Sequence, residues 1–293
     1  MECTGERYLP EFDGDWTLEH LHRYLLACEL AADKIVLDIA CGDGYGSAML
    51  AKHAVDVTGV DIDSPTVERA RSKYKANNLR FLQGSATAIP MDDSSVDLVV
   101  SFETIEHLTE QESMLCEINR VLRSNGMLLI SSPDKYEYSD VPGYQNPFHP
   151  KELYREEFDA LLQRHFAYHS LLGQRVIFGS VIASPEQRPF LSWEKEAGLG
   201  RTEGLPHAVY HVAVASDAPL PQLPSSLFSA PLEHSSGMRQ LKASLQGAQI
   251  NLQSCQQELA SAKEQLSALL NSRSWKLTDP LRRLAAQIRK WRS

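Results

Sequence analysis

The chain shows one hydrophobic rhythm for about half its length and a different one near its end. Apolar residues run almost unbroken through 34–40 (KIVLDIA), 55–62 (VDVTGVDI), 79–84 (LRFLQG), 96–102 (VDLVVSF) and 126–132 (GMLLISS). Short Val-, Ile- and Leu-rich runs without alternation are typical of strands buried on both faces of a parallel sheet. Helical segments separate them. Ser64 is placed to cap one, with Pro65 at its first position. A second, TEQESMLCEINRVLRSNG, carries a capping box of Thr109 with Glu112 and stops at Gly126. Strand and helix in turn predict an α/β class with a doubly wound sheet.

Beyond residue 133 the rhythm loosens. The segment DKYEYSDVPGYQNPFHP reads as a loop rich in Tyr and Phe, and Pro150 is placed to start the helix KELYREEFDALLQRHF. The runs SLLGQRVIFGSVIA and HAVYHVAVAS read as closing strands, so a globular domain is expected over 1–217. A Pro- and Ser-rich linker follows over 218–236. From Met238, apolar or small residues fall at 238, 241, 245, 248, 252, 255, 259, 262, 266 and 269, in steps of three and four. This heptad seam predicts a coiled coil over 237–271, the alternative being a long helix packed on its own domain. Residues 272–293 predict an amphipathic helix capped by Asp279, with Leu277, Leu281, Leu284, Ile288 and Trp291 on one face and basic residues over the rest.

Charge sharpens this division. The 293 residues carry a net charge of −9, which disfavours a nucleic-acid partner. Residues 272–293 hold seven Lys or Arg against one Asp, a local +6 that leaves −15 on the remainder. The tail therefore reads as an anchor at the inner membrane face, or else as a protein-docking helix. Five scattered cysteines without a CxxC pair suggest a reducing, cytoplasmic setting. The first residues do not read as a signal peptide, and no apolar run reaches the ~18 residues of a membrane span.

Chemistry is concentrated in VLDIACGDGYGS, residues 36–47. Its glycines are spaced G-D-G-Y-G, so the third arrives one residue early for a dinucleotide fingerprint. Asp38 precedes the loop, where a carboxylate would repel a pyrophosphate but attract a cationic amino group. Asp61 closes the second strand, where an acid can accept both ribose hydroxyls. A nucleoside with a cationic appendage, such as S-adenosylmethionine (SAM), satisfies both.

The set VLDIACGDGYGS, VTGVDID, FLQGSATAIPM, DLVVSFETIEHL and INRVLRSNGMLLISSPD resembles the class I SAM-dependent methyltransferases in order and spacing. The resemblance implies a Rossmann-like seven-stranded sheet followed here by the long C-terminal coiled-coil helix. It places the methionine moiety at Asp38, Ala40, Gly42 and Gly44, the ribose at Asp61, and the adenine at Ile62, Ser85 and Ala86. Phe102 falls in the fourth motif, and Ser85 stands where the family often has Asp. Further stretches (GERYLPE, SFETIEHL, NPFHPKEL, SRSWKLTDPLR) are similar to methyltransferases of bacterial surface-polysaccharide and O-antigen assembly. They imply methylation of a sugar hydroxyl on a glycan or its lipid-linked precursor. The heptad seam separately predicts a homo-oligomer, with glycosyltransferases as candidate partners.

A sugar hydroxyl needs a general base. His107 is the first candidate and His149 the second, the alternatives being a structural hydrogen bond and a helix cap. Glu106 stands beside His107 as an acid near a helix start. Glu103, Glu106 and His107 could instead hold a divalent metal, which is not the favoured reading. Arg23 is either a ligand for the methionine carboxylate or a surface residue. A quinone-type small-molecule methyltransferase and a non-catalytic scaffold are the competing functions.

Overall fold

The computed structural model describes residues 15–176, 191–195, 199–221, 223, 226–228 and 236–292. The stretch GERYLPE, most of the expected linker and the segment 177–190 lie outside them. The elements run α1 (Asp15–Leu30), β1 (Ile35–Ile39), α2 (Tyr45–Leu50), β2 (Asp56–Asp61), α3 (Ser64–Lys73), β3 (Leu79–Gln83) and β4 (Val96–Ser101). After them come α4 (Gln111–Val121), β5 (Leu122–Pro133), α5 (Arg155–His165), β6 (Tyr168–Gln174), β7 (Leu191–Lys195), β8 (Leu199–Glu203) and β9 (Tyr210–Ser216). The expected seven-stranded sheet is present, in the order β3-β2-β1-β4-β5-β9-β6. The first five strands are parallel, and β9 runs antiparallel between β5 and β6. The small β7–β8 hairpin has no counterpart in the sequence reading.

Alternation along the strands separates two cores. Leu37, Ile39, Val99, Leu128, Ile130, Ala213 and Ala215 face α4 and α5, whose Met114, Leu115, Ile118, Phe158 and Leu162 complete one cluster. Val36, Leu98, Val100, Leu129, Val212 and Val214 face the other way, onto Tyr24, Ala27, Cys28 and Ala31 at α1 and Leu50 of α2. Tyr24, Ala27, Cys28 and Ala31 recur at the three- and four-residue steps of one helix face. Both faces of the central strands are thus covered, which is why those strands lack polar alternation.

Order reverses at β1. From β1 the chain builds outward to β2 and β3, then returns to place β4 on β1's other side. Open α/β sheets bind ligands outside the carboxyl ends of the strands at such a reversal. Here those ends carry Asp38, Asp61 and the turn after Ser101.

Several local expectations need correction. Asp63, not Ser64, caps α3, its carboxylate accepting from the Thr66 backbone N–H at 3.1 Å. Ser64 becomes the first helical residue. Thr109 forms no capping box, because its hydroxyl donates to Glu110 at 2.6 Å while Glu112 pairs with Arg164 and His165. α4 ends at Val121 rather than Gly126, because Leu122 already pairs with Val96 of β4. α5 starts at Arg155 rather than after Pro150, since Leu153 first bridges Asp134. Asp279 lies inside the first turn of its helix rather than capping it, where it pairs with Arg283 at 2.8 Å. Two leucines of the expected linker, Leu220 and Leu223, pack on the α1 core, and Ser226 lies 2.8 Å from His22 Nε2.

Residues Ser235–Ser293 form a second unit. α6 (Ser236–Asn271) is one continuous 36-residue helix, followed by α7 (Arg273–Leu277) and α8 (Asp279–Arg292). The seam leucines Leu241, Leu245, Leu252, Leu259, Leu266 and Leu269 are all exposed. Among the described residues no helix is long and apolar enough to cross a membrane.

Candidate functional site

The loop after β1 is shaped by backbone conformation. Ala40, Gly42 and Gly44 all take positive φ, at 57°, 54° and 83°. The Cys41 N–H returns to the Val60 carbonyl at 3.1 Å, tying the loop to β2. The glycines then divide by purpose. A Cβ on Gly46 would lie 2.0 Å from the Tyr24 ring, and one on Gly44 would lie 2.7 Å from Phe81. Those two let α1 and β3 approach. A Cβ on Gly42 would meet nothing within 4 Å, so that glycine borders open space.

The two acids of the sequence reading sit differently from each other. Asp61 is 5 % exposed, and its two oxygens accept from the Gly42 and Asp63 N–H groups at 3.0 and 2.9 Å. An ionised carboxylate is an acceptor only, the type of group that receives ribose hydroxyls. Ile62 beside it is 68 % exposed, an apolar shelf next to that acid. Ser85 spans a tight turn, its hydroxyl 2.9 Å from that of Thr87 and its backbone bridged to Ala88, while Ala86 packs on the core.

Asp38 is fully buried on the α1 side of β1, because it shares strand parity with Val36. It accepts from the Ser47 hydroxyl at 2.6 Å and the Tyr24 hydroxyl at 3.1 Å. Burial pushes its carboxyl up to about 7, aided by repulsion from Asp61 and opposed by those two hydrogen bonds. Phe102 lies edge-on to Tyr24 with ring centroids 5.0 Å apart, so it too belongs to this buried wall.

A second group gathers at the carboxyl end of β4. Glu103 takes φ 49° and accepts from Ser131 Oγ at 2.6 Å. Arg23 is buried, not on the surface. Its Nη1 lies 3.0 Å from Glu103, its Nε donates to Gln174 at 2.6 Å, and its guanidinium stacks 4.4 Å from the Tyr210 ring. Ile105–His107 form a single 3₁₀ turn. The ring centroids of His107 and His149 are 4.8 Å apart, and Tyr138 stacks on His149. His149 is not a helix cap, since its Nδ1 lies 2.7 Å from Glu152, whose other oxygen accepts from Ser139. Glu106 is 1 % exposed, and burial and the nearby Glu103 hold its carboxyl well above the usual range.

The sequence reading names most of these residues. It misses Ser47, Asn146, Glu152, Gln174 and Tyr210. The spacing of three between His149 and Glu152 is a readable signal; the distant partners Gln174 and Tyr210 have no local one.

The open cradle at Gly42, the acceptor capacity of Asp61 and the apolar shelf at Ile62 fit the nucleoside and amino-acid halves of SAM. Residues 37–130 match a family model described as "Methyltransferase domain". The fold is similar to that of the YcgJ protein of a Bacillus species, with a TM-score of 0.51 at 19 % identity over 68 % of this chain and all of that one. A Mycolicibacterium smegmatis protein described as "Probable S-adenosylmethionine-dependent methyltransferase" is 36 % identical over 194 residues, 64 % of this chain and 73 % of that relative. A Mycobacterium tuberculosis protein of the same description is 37 % identical over 167 residues, 55 % of this chain and 60 % of its own length. The fold and cradle are those of a class I α/β methyltransferase. The chain belongs to the S-adenosylmethionine-dependent methyltransferases, with SAM as its cofactor.

Two outcomes follow from this geometry. The unfolded Asp38 carboxyl titrates near 3.8 and the folded one near 7, so the folded state holds its proton longer. Stability attributable to this group therefore falls as pH rises from about 4 to 7. Asp38→Asn removes that fall, and urea unfolding at pH 5 and pH 7.5 should show wild type losing about 2–3 kcal/mol relative to the variant. Gly42→Ala, with no clash but a strained φ, should cost only about 1 kcal/mol of stability. In calorimetry it should weaken SAM about tenfold or more, because the methyl enters the cradle.

Proposed function

We propose that the protein O-methylates a sugar hydroxyl of a cell-surface glycan or of its lipid-linked precursor, at the inner face of the cytoplasmic membrane. The observation that carries the acceptor assignment is the imidazole pair, His107 with His149, at the carboxyl end of β4. An alcohol is a weak nucleophile, and an oriented imidazole meets its need for a proton acceptor. The Phe148 carbonyl lies 2.8 Å from His107 Nδ1 and can only accept, so Nδ1 carries the proton and Nε2 is the basic nitrogen. The aromatic side chains Tyr136, Tyr144 and Phe148 around it are about half exposed, which suits the apolar face of a sugar ring.

When bound, SAM supplies an electrophilic methyl group on a sulfonium. The residues that would hold it are Asp38, Ala40, Gly42 and Gly44 on the methionine side, Asp61 at the ribose, and Ile62, Ser85 and Ala86 at the adenine. Asp38 bears on the loop through Ser47 and Tyr24, and Phe102 walls it. Arg23, the candidate for the methionine carboxylate, also pairs with Glu103 at 3.0 Å, and its Nη2 has no hydrogen-bond partner among the described residues.

The C-terminal helices support the location. α6 leaves its leucine seam exposed at heptad spacing, which a second copy of the chain would cover as a coiled coil. In α8, Leu281, Leu284 and Ile288 are exposed on one face, and Arg282 stacks on Trp275 at 3.7 Å. A basic helix of this kind lies in an anionic bilayer surface, with each basic residue adding about 1 kcal/mol.

Labelled SAM incubated with lipid-linked glycan fractions should transfer its methyl to a sugar. His107→Ala should lower the rate about 10²–10⁴-fold with SAM affinity unchanged. Failure to label any glycan, with SAM bound, refutes the acceptor assignment. In flotation with anionic liposomes the full chain should rise and the chain ending at residue 271 should not. Equal flotation of both removes the anchor.

A further inference from the structure

We propose that Glu106, His107 and His149 form a binding site for one divalent first-row transition-metal ion, which holds the acceptor oxygen. This deepens the reading given above, on which it rests, and makes His107 a ligand rather than a free base. The ligand atoms of the three residues all lie within 4.8 Å of one another. Donors of one ion at tetrahedral or octahedral angles lie about 2.8–3.6 Å apart for bonds of about 2.0–2.2 Å, so the widest pair closes by up to about 1–2 Å on binding.

Two independent features point to a cation. The Glu106 carboxylate is buried, and neither oxygen has a hydrogen-bond partner on another residue. Ionised, it lacks a counter-charge in contact; protonated, it lacks an acceptor for its O–H. A buried carboxylate in that position is costly in either state unless a ligand completes it. The histidines supply the second feature. His107 Nδ1 faces the Phe148 carbonyl at 2.8 Å and His149 Nδ1 faces the Glu152 carboxylate at 2.7 Å. Both partners are acceptors, so both rings direct the Nε2 lone pair away from them. Metal-ligating histidines are oriented in this way, with the second nitrogen donating to a carbonyl or carboxylate. The Asn146 amide lies 3.0 Å from His149 Nε2, and it must turn aside when an ion binds.

The set differs from the one the E-x-x-E-H spacing suggests. Glu103 turns to Arg23 and Ser131, and His149 takes its place from the aromatic loop. Two imidazoles and one carboxylate favour Mn²⁺ to Zn²⁺ over Ca²⁺, and leave coordination positions open for an acceptor oxygen. There the acceptor's O–H bond breaks with the proton passing to water. The electron pair stays on the acceptor oxygen and forms the new bond to the methyl carbon, as the carbon–sulfur bond of SAM breaks and its pair returns to sulfur.

The test is calorimetric titration of the EDTA-treated full chain with Mn²⁺ and, separately, Zn²⁺, without acceptor. One saturable ion per chain is expected, with affinity reduced at least tenfold in Glu106→Gln and in His149→Ala. SAM affinity, measured on the same samples, should be unchanged in both variants and reports that they are folded. Should a variant fail that control, Mn²⁺ electron paramagnetic resonance on wild type decides, through the loss of the free-ion signal on binding. No saturable binding by wild type, or binding unaffected by either folded variant, overturns the site. Glycan methylation by EDTA-treated enzyme without a bound ion defeats this inference and leaves the function standing. A bound ion with no glycan methylated does the reverse.

Discussion

The parallel pairing of β1 with β2 on one side and β4 on the other governs the rest of the molecule. It aligns Asp38 with Gly59 and with Val100, so the three strands end at nearly the same level. Because parallel strands need crossovers, the chain beyond each end must turn into a helix, and three such turns meet at one edge. The Cys41 to Val60 hydrogen bond and the Asp61 carboxylate on the Gly42 N–H then fix the first turn against the second. Glycine at 44, 46 and 59 is what lets Phe81 and Tyr24 close on that junction.

The same edge gathers carboxylates that the fold treats in different ways. Asp61 is held by backbone amides, Asp38 by two hydroxyls, and Glu103 by Arg23 and Ser131. Each arrangement satisfies at least part of the charge while fixing the side chain in place. Glu106 is the exception, buried without a hydrogen-bond partner on another residue. Buried polar groups left in that state are uncommon in folded proteins and tend to mark places where a ligand belongs. The left-handed conformation of Glu103 nearby is a second local cost at the same turn.

How far this is readable in the sequence depends on range. Val, Ile and Leu runs identify the parallel strands, because burial on both faces leaves no room for alternation. The orientation of Asp38 is also legible, since it shares parity with Val36. Helix starts mislead where two candidate caps stand side by side: Asp63 outcompetes Ser64, and Thr109 spends its hydroxyl on Glu110. The acid–base cluster is only half legible. His107 and Glu106 lie in one motif, but their meeting with His149 depends on a long loop returning to β4, which no local pattern specifies.

The two units answer their hydrophobic surface in opposite ways. In the first, the long apolar stripes find partners within the chain, as α1 does on β1 and β4, and α4 on β5. In the second, α6 keeps its seam leucines exposed along 36 residues. An isolated helix gains too little from backbone hydrogen bonds alone to be firmly stable in water, and most helical stability comes from burying an apolar face. A regular 3–4 spacing of Leu, Ala and Cys on an otherwise polar helix is therefore a surface suited to another helix of the same spacing. α8 differs in kind, because its apolar face is flanked by arginine rather than by Gln and Ser. The charge that would hinder close pairing of two such helices is the charge that an anionic surface attracts.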